Sequence, residues 1–333
     1  MFFAIAITAV VIIVLFAAIC CHRRAPRPKR PIAVITGSGS GIGFETALEL
    51  ARRGWTVFAL VYDKAQLRLF KEMYKSAIVA LVADVTSDSS VSSAVDQVKA
   101  ELQRRGRDER VDAIVNNAGV VAAGPLETLD LDQMLICFRV HCLGSLRVAR
   151  AFLHLLRVRD KTSARTPQWP ARIVHVSSGA AVTPAPLYGG YGAAKAAQAA
   201  VADTLRVELS QCAHLGSDRQ VTVTCVQLPM VNTAQAHNFE NLLGPGVPRY
   251  RRVRRLAMGL HKHLLNTSIT AADAARSLSD ACEAREVAHR WRVGSMKSAH
   301  LMGLVCPFDA KARMISMLST HYGGTTLQRS SAL

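Results

Sequence analysis

From Pro31 onward, short continuous apolar runs alternate with stretches whose apolar residues recur at helical spacing. PIAVIT, residues 31–36, ends in a glycine-rich turn and has the length and composition of a buried strand. GIGFETALELARRG follows with helical periodicity and stops at Gly54. WTVFALVY predicts a second strand, with a charged helix around 64–75 behind it. AIVALVAD predicts a third, followed by a polar-faced helix from Ser87 to about Arg105. VDAIVNNAG gives a fourth strand before a long helical stretch from about Asp130 to Val158. ARIVHVSS, VTVTCVQL and HRWRVG supply later strands, with helices around 191–211 and 270–284. Strands that are apolar throughout need cover on both faces, and helices between them provide it. The pattern predicts an α/β fold of three layers around a mostly parallel sheet of about seven strands. No composition break divides residues 31–306, so they form one domain, with an exposed loop at 160–170 and a tail at 307–333.

The first 30 residues break this pattern. Residues 1–21 carry no charged side chain, and as a helix they span roughly 30 Å, the thickness of a hydrocarbon core. A basic, proline-rich linker, 22–30, follows with Arg23, Arg24, Arg27, Lys29 and Arg30. A cleaved signal peptide carries its positive charge ahead of the apolar stretch, so 1–21 is expected to be an uncleaved transmembrane anchor. The positive flank then leaves the large C-terminal part in the cytosol, on the endoplasmic reticulum if the cell is eukaryotic. Pro26, Pro28 and Pro31 make the linker extended.

Composition adds two exclusions. With 50% hydrophobic and 20% charged residues the 333-residue chain is not disordered. Its net charge of +17 suits an anionic membrane face or an acidic cofactor, but no nucleic-acid motif accompanies the charge, so no nucleic-acid partner is expected. Eight cysteines show no metal-ligand spacing, and no metal site is expected. The six beyond the anchor are expected to be small buried apolar residues. The sequon Asn266-Thr267-Ser268 stays unmodified in the cytosol and so reports topology.

ITGSGSGIGFETA places Gly37, Gly39, Gly41 and Gly43 between the first strand and the first helix. Glycine lets the backbone approach a pyrophosphate, and the helix N-terminus offers free N–H groups to its charge. Thr36-Gly37-x-x-x-Gly41-x-Gly43, Asp84 followed by Val85, Asn116-Asn117-Ala118-Gly119, and Ser178 with Tyr191-Gly-Ala-Ala-Lys195 then occur in order. In these motifs the chain resembles the short-chain dehydrogenase/reductase family from about residue 31 to 295. The resemblance implies a Rossmann fold and hydride transfer with NAD or NADP. It also assigns Thr36, Gly37, Ser38, Ser40, Gly41, Ile42, Gly43, Asp84, Val85, Asn117, Ala118, Gly119, Tyr191, Lys195, Pro229 and Thr233 to the cofactor.

By the same resemblance Ser178, Tyr191 and Lys195 are catalytic. Tyr191 and Lys195, at i and i+4, share one helix face, and a nearby ammonium is expected to lower the phenol toward working range. Tyr191 would exchange the proton on the substrate oxygen, Ser178 would hydrogen-bond that oxygen, and Lys195 would hold the nicotinamide ribose. Tyr188 lacks a lysine four residues on, where Gly192 stands. Three positions depart from the family pattern. His141 stands in place of an asparagine that positions a relay water; imidazole can hydrogen-bond water, and a space-filling helix histidine is the alternative. Met230 replaces glycine after Pro229, which puts the local backbone path in question. At the end of the second strand Leu60 holds the place of the acid that selects NAD, and Tyr62 that of the arginine that selects NADP. With no arginine there the expectation leans to NAD, although Lys64 is in reach of a phosphate.

VFALVYD, NNAGVVAAGPLETL, HRWRVG and the anchor resemble the 17β-hydroxysteroid and retinol dehydrogenase branch. That implies a lipophilic alcohol or ketone as substrate, with a 3-ketosphinganine-type lipid reductase and a cofactor-binding sensor without turnover as alternatives. Family habit implies a homodimer through the fourth and fifth helices. The segment after Thr233, where the family builds its substrate lid, holds Arg249, Arg251, Arg252, Arg254 and Arg255 beside apolar residues. It suits either contact with an anionic membrane or a solvated basic helix.

Overall fold

A computed structural model describes residues 28, 30–70, 76–159, 169–212, 219–243, 248–284 and 290–293. The expected anchor, most of the linker, most of the 160–170 loop and the C-terminal tail lie outside the described residues. Among the described residues, no helix is long and apolar enough to cross a membrane.

Seven strands form one parallel sheet: β1 (Ile32–Thr36), β2 (Thr56–Val61), β3 (Ile78–Val82), β4 (Ala113–Asn116), β5 (Ala171–Ser178), β6 (Val221–Leu228) and β9 (Arg290–Arg292). Their spatial order is β3-β2-β1-β4-β5-β6-β9, every neighbouring pair parallel. The chain winds outward from β1 to β3, returns to β4 on the other side of β1, and continues outward. The carboxyl ends of β1 and β4 therefore flank a crevice, the place where such sheets bind ligands.

Alternation along each strand feeds two cores. Ile32 and Val34 of β1 pack with Leu102 of helix α2 (Asp88–Arg104) and Phe152 of α4 (Ser145–Arg157). Ala33 and Ile35 pack on the other face with Leu50 of α1 (Gly41–Arg52) and Leu278 of α9 (Ala271–Glu283). All four β1 residues are essentially inaccessible to solvent, as a doubly covered sheet requires.

Three segments differ from the periodicity reading. Of the charged stretch after β2, Lys64–Phe70 is a 3₁₀ helix with Phe70 buried and Leu67 packed against the core; so short an apolar run does not supply the stripe that holds an α-helix to a core, and residues 71–75 lie outside the described residues. The long helix after β4 is two α-helices, α3 (Leu131–Phe138) and α4, joined by a π-helical stretch at Arg139–Gly144. After β6 the chain makes a separate two-stranded pair, β7 (Val231–Asn232) with β8 (Ile269–Thr270). Between them lie α6 (Ala234–His237), α7 (Phe239–Leu242) and α8 (Arg251–Asn266). Helix α5 (Gly189–Cys212) crosses beneath this excursion. Cys137, Cys142, Cys225 and Cys282 are buried as expected, but Cys212 is exposed at the end of α5, where helix periodicity turns it away from the sheet. Cys306 lies outside the described residues.

Candidate active site

The turns after β1 and β4 are laced together. The Thr36 hydroxyl accepts the backbone N–H groups of Asn117 and Ala118, each at 3.0 Å. Asn117 Nδ2 donates back to the carbonyls of Thr36 and Gly37, at 3.0 and 3.1 Å. This leaves no room for side chains in the turn. Gly37 has φ +65°, and a Cβ on it would lie 2.7 Å from Ala118 Cα. A Cβ on Gly43 would lie 2.3 Å from the Gly37 carbonyl oxygen.

Helix α1 opens from this turn without a side-chain cap. Ser40 is exposed and makes no capping bond, and the first turn, which begins Gly41-Ile42, holds no acid. Uncapped N–H groups at a helix start attract an anion. Thr233 faces them, its Cγ2 being 3.4 Å from where a Cβ on Gly41 would stand. The Thr233 hydroxyl itself accepts Ala236 N–H at 3.3 Å; the cradle and the bare helix start fit a dinucleotide diphosphate. Met230 does not disturb the path between Pro229 and Thr233. Its carbonyl accepts Ile269 N–H at 3.2 Å, and Leu187 alone among described non-glycine residues has positive φ.

Some residues assigned to the cofactor do other work. Ser38 is fully buried and its hydroxyl donates to the Ile35 carbonyl at 2.9 Å, so its side chain shapes the turn and faces away from a ligand. Asp84 accepts the N–H and hydroxyl of Thr86, at 2.8 and 2.7 Å, and Val85 is buried with its carbonyl taken by Arg147. At the end of β2, Leu60 is 1% exposed and Tyr62 73% exposed. Leu60 therefore cannot read a ribose, whereas Tyr62 and Asp63 are exposed there, Asp63 accepting Ala65 N–H at 2.8 Å. The Gln66 side chain lies across Gly39, within 2.1 Å of where a Cβ would sit, an arrangement no sequence signal announced.

Ser178 ends β5, and Tyr191 and Lys195 sit on α5. The Ser178 hydroxyl oxygen accepts Ala180 N–H at 3.2 Å and also bonds the Tyr191 phenol. Lys195 is buried and places Nζ 5.8 Å from the centre of the Tyr191 ring. It donates to the Val176 carbonyl at 2.7 Å and to Gln198 Oε1 at 3.3 Å. Burial pushes the Lys195 ammonium down to about 8. Burial also pushes the Tyr191 phenol up to about 12, against the hydrogen bond from Ser178, which lowers it. The expectation of a lowered phenol is thus reversed, because burial outweighs the hydrogen bond from Ser178.

His141 lies in the π-helical stretch with its ring edge-on to Tyr191, centroids 5.4 Å apart. Its Nε2 is 2.7 Å from the Val120 carbonyl oxygen, which requires the proton on Nε2. Nδ1 is buried without a protein partner, and burial holds the imidazole near 3, neutral. The ring clamps the chain after Gly119, with Cε1 2.6 Å from where a Cβ on Gly119 would stand. Nε2 is thus taken by the backbone, and a relay water would have to bind Nδ1.

Two features escaped sequence reasoning. Tyr188 donates its hydroxyl to His261 Nδ1 at 2.8 Å, while His261 Nε2 donates to the Ala236 carbonyl at 2.9 Å. Tyr188 stacks on Phe239 at 4.5 Å, and Phe239 on His261 at 4.4 Å. This stack packs with Leu187, Leu243 and Ala257 and forms a wall beside Tyr191, 6.3 Å from Tyr188. Leu187, at φ 67°, turns the chain into it. The second feature lies behind Lys195. Asn116, His175, Ser177 and Gln227 occupy one face of β4, β5 and β6 by register, and each has a buried polar side-chain atom without a protein partner.

The profile of the short chain dehydrogenase family matches residues 31–242. The chain belongs to that family. It is 30% identical over 177 residues to an NADPH-dependent 3-dehydrocapnine reductase of Ornithobacterium rhinotracheale, covering 53% of this chain and 59% of that one. It is 31% identical over 182 residues to estradiol 17-beta-dehydrogenase 2 of Mus musculus, covering 54% of this chain and 44% of that one. The chain thus spans about half the length of such curated relatives. A short-chain dehydrogenase from Streptomyces avermitilis has the same fold, with TM-score 0.66 and 22% identity over 90% of this chain and 100% of that one. A Burkholderia phymatum short chain dehydrogenase solved with NAD gives 0.65 and 23%, over 82% and 92%.

Proposed function

We propose that this short chain dehydrogenase interconverts a lipophilic secondary alcohol and its ketone, of steroid or retinoid type, while its apolar N-terminal segment holds it to a membrane with the catalytic domain in the cytosol. The observation that carries this reading is the apolar, aromatic wall of Leu187, Tyr188, Phe239 and Leu243 beside Tyr191. The uncharged run 1–21 and the similarity to an estradiol dehydrogenase support it. Exposed Leu131, Leu135, Ile136 and Leu143 along α3 and the π-helical stretch, with Val207 on α5, support a homodimer through these helices.

When bound, the nicotinamide dinucleotide supplies or accepts a hydride at the substrate carbon. The glycine turn and the start of α1 would hold its diphosphate, with Thr233 at their edge. Asn117 keeps the turn closed through Thr36 and Gly37. Ser178 and Tyr191 hydrogen-bond the substrate oxygen. In reduction the Tyr191 O–H bond breaks and its proton goes to the oxygen; in oxidation the phenolate takes the proton back. Lys195, its ammonium 5.8 Å from the centre of the Tyr191 ring, would favour the phenolate against the burial that raises it. The exposed Tyr62 and Asp63, without an arginine, favour NAD.

A second reading, reduction of a 3-keto lipid, is favoured by the similarity to the 3-dehydrocapnine reductase. The test is turnover of steroid, retinoid and sphingoid alcohols and ketones with NAD(H) and NADP(H), run beside Tyr191→Phe. Turnover lost in that variant by about 10²–10⁴-fold supports the assignment. Dinucleotide binding without turnover on any member of the panel overturns it in favour of a sensor.

A further inference from the structure

The lid carries a surface that the chemistry does not use. Residues 249–266, RYRRVRRLAMGLHKHLLN, contain six Arg or Lys and no Asp or Glu. Val253, Ala257 and Met258 of α8 turn toward Phe239 and Leu243. Arg251, Arg252, Arg255 and Lys262 are exposed on the other side. This arrangement is electrostatically unfavourable in isolation. The arginines crowd the positive end of the helix dipole, where cations are disfavoured. At i and i+4, Arg251 and Arg255 repel one another, and the first turn contains no acid to offset them.

An exposed apolar residue adjoins this basic face. Glu127 accepts Arg249 Nη1 at 2.6 Å and the Tyr250 hydroxyl, which ties the start of α8 to the loop after β4. Beside it, Leu126 is 63% exposed, its Cγ 2.7 Å from where a Cβ on Gly189 would stand at the start of α5. A projecting leucine and a run of arginines thus flank the aromatic wall on the substrate side.

We propose that Arg251, Arg252, Arg255 and Lys262, with Leu126 near the start of their helix, dock on the anionic headgroup surface of a lipid bilayer and hold the lid against it. The inference deepens the reading above and rests on its lipophilic substrate. Charge complementarity selects the occupant: each basic residue near an anionic leaflet contributes about fivefold in partitioning, so four contribute several hundredfold. An exposed leucine beside basic residues suits the headgroup boundary. The reach is sufficient as well. The N-terminal segment enters at the start of β1, the opposite edge of the sheet from the lid. A linker of the length of residues 22–30 can reach at most about 30 Å, whereas the eight residues of β5 cross the sheet in about 26 Å.

The experiment uses the full chain in lipid nanodiscs of phosphatidylcholine alone or with phosphatidylserine. Hydrogen exchange of 249–266 is followed beside the KM for a lipophilic ketone. The expected result is slower exchange and a several-fold lower KM on phosphatidylserine, both abolished by high salt and by combined Arg251→Gln, Arg252→Gln and Arg255→Gln. Leu126→Ser, outside α8, should weaken the same protection by a smaller factor, which keeps the test open if the triple variant misfolds. Equal exchange on the two lipids overturns the proposal, and so does protection by RNA with none by phosphatidylserine. Loss of the chain from phosphatidylcholine discs would instead count against the anchor. Protection without turnover of any lipophilic compound would count against the substrate reading alone.

Discussion

The two sides of the crevice are built by different means. On the cofactor side, the Thr36 and Asn117 side chains bind main-chain atoms of the opposite turn, and glycines occupy places where a Cβ would collide with main-chain atoms. On the substrate side, side chains meet side chains: Tyr188, Phe239 and His261 stack, and α8 covers them. The family match ends at residue 242, inside the lid and before α8. A main-chain approach admits one residue type, so it survives in any sequence that keeps the fold. A side-chain wall can be rebuilt in many ways.

The largest effect should come from breaking the first kind of contact. Gly43→Ala puts a methyl 2.3 Å from the Gly37 carbonyl oxygen and 2.4 Å from Asn117 Nδ2. The turn must open, and nothing flexible is available to yield. Dinucleotide affinity should fall at least about 100-fold and stability by about 1–3 kcal/mol, measured by fluorescence titration and urea unfolding. Ordinary affinity in the variant would show that the turn is softer than its contacts indicate.

That contrast also explains what could be read from the sequence. The glycine turn, Asn117 and the sheet were legible because period, turn chemistry and motif agree there. The π-helical stretch at Arg139–Gly144 was not, since a one-residue slip barely alters helical periodicity. Leu60 and Tyr62 were placed by alignment, and only burial shows that Leu60 faces the core. Tyr188 was passed over for want of a lysine four residues on, yet its partners His261 and Phe239 lie far along the chain. Contacts between distant side chains leave no local pattern.

The pH dependence sharpens the comparison within the catalytic pair. Lys195 titrates near 8, pushed down by burial from 10.5. Between those values the unfolded chain holds a proton that the folded protein has released, so stability rises with pH across that window. Below about 8 both states are protonated and the cost of burying the charge is fully present. Reduction should run the other way, falling as pH passes about 8 and the ammonium is lost. The Gln198 amide oxygen accepts a bond from Lys195 and favours its charged form. Gln198→Leu should therefore move the alkaline limb of kcat/KM to lower pH. An unmoved limb would assign it to another group.

Tyr188→Phe should have a smaller effect, confined to the substrate side. It removes the bond to His261 Nδ1 and keeps the stack on Phe239. The lost bond is worth about 1 kcal/mol, so KM for a lipophilic substrate should rise about fivefold. Dinucleotide affinity and kcat should hold, the signature of lost ground-state binding. A fall in kcat would mean that Tyr188 also positions Tyr191.

The smallest expected effect is a gain, and it lies on the side that otherwise looks most tightly specified. Gln227 is fully buried beside Ser177, and neither of its amide atoms has a protein partner. Desolvating an amide without replacing its hydrogen bonds costs more than burying an alkyl chain of equal size. Gln227→Leu keeps the volume and removes that cost, so the urea midpoint should rise by the equivalent of about 1 kcal/mol. The opposite sign would be equally informative. A loss would mean that water fills the space among Asn116, His175, Ser177 and Gln227 and satisfies the amide. Lys195 would then rest on a hydrated interior rather than a dry one, and its charge would depend on that water.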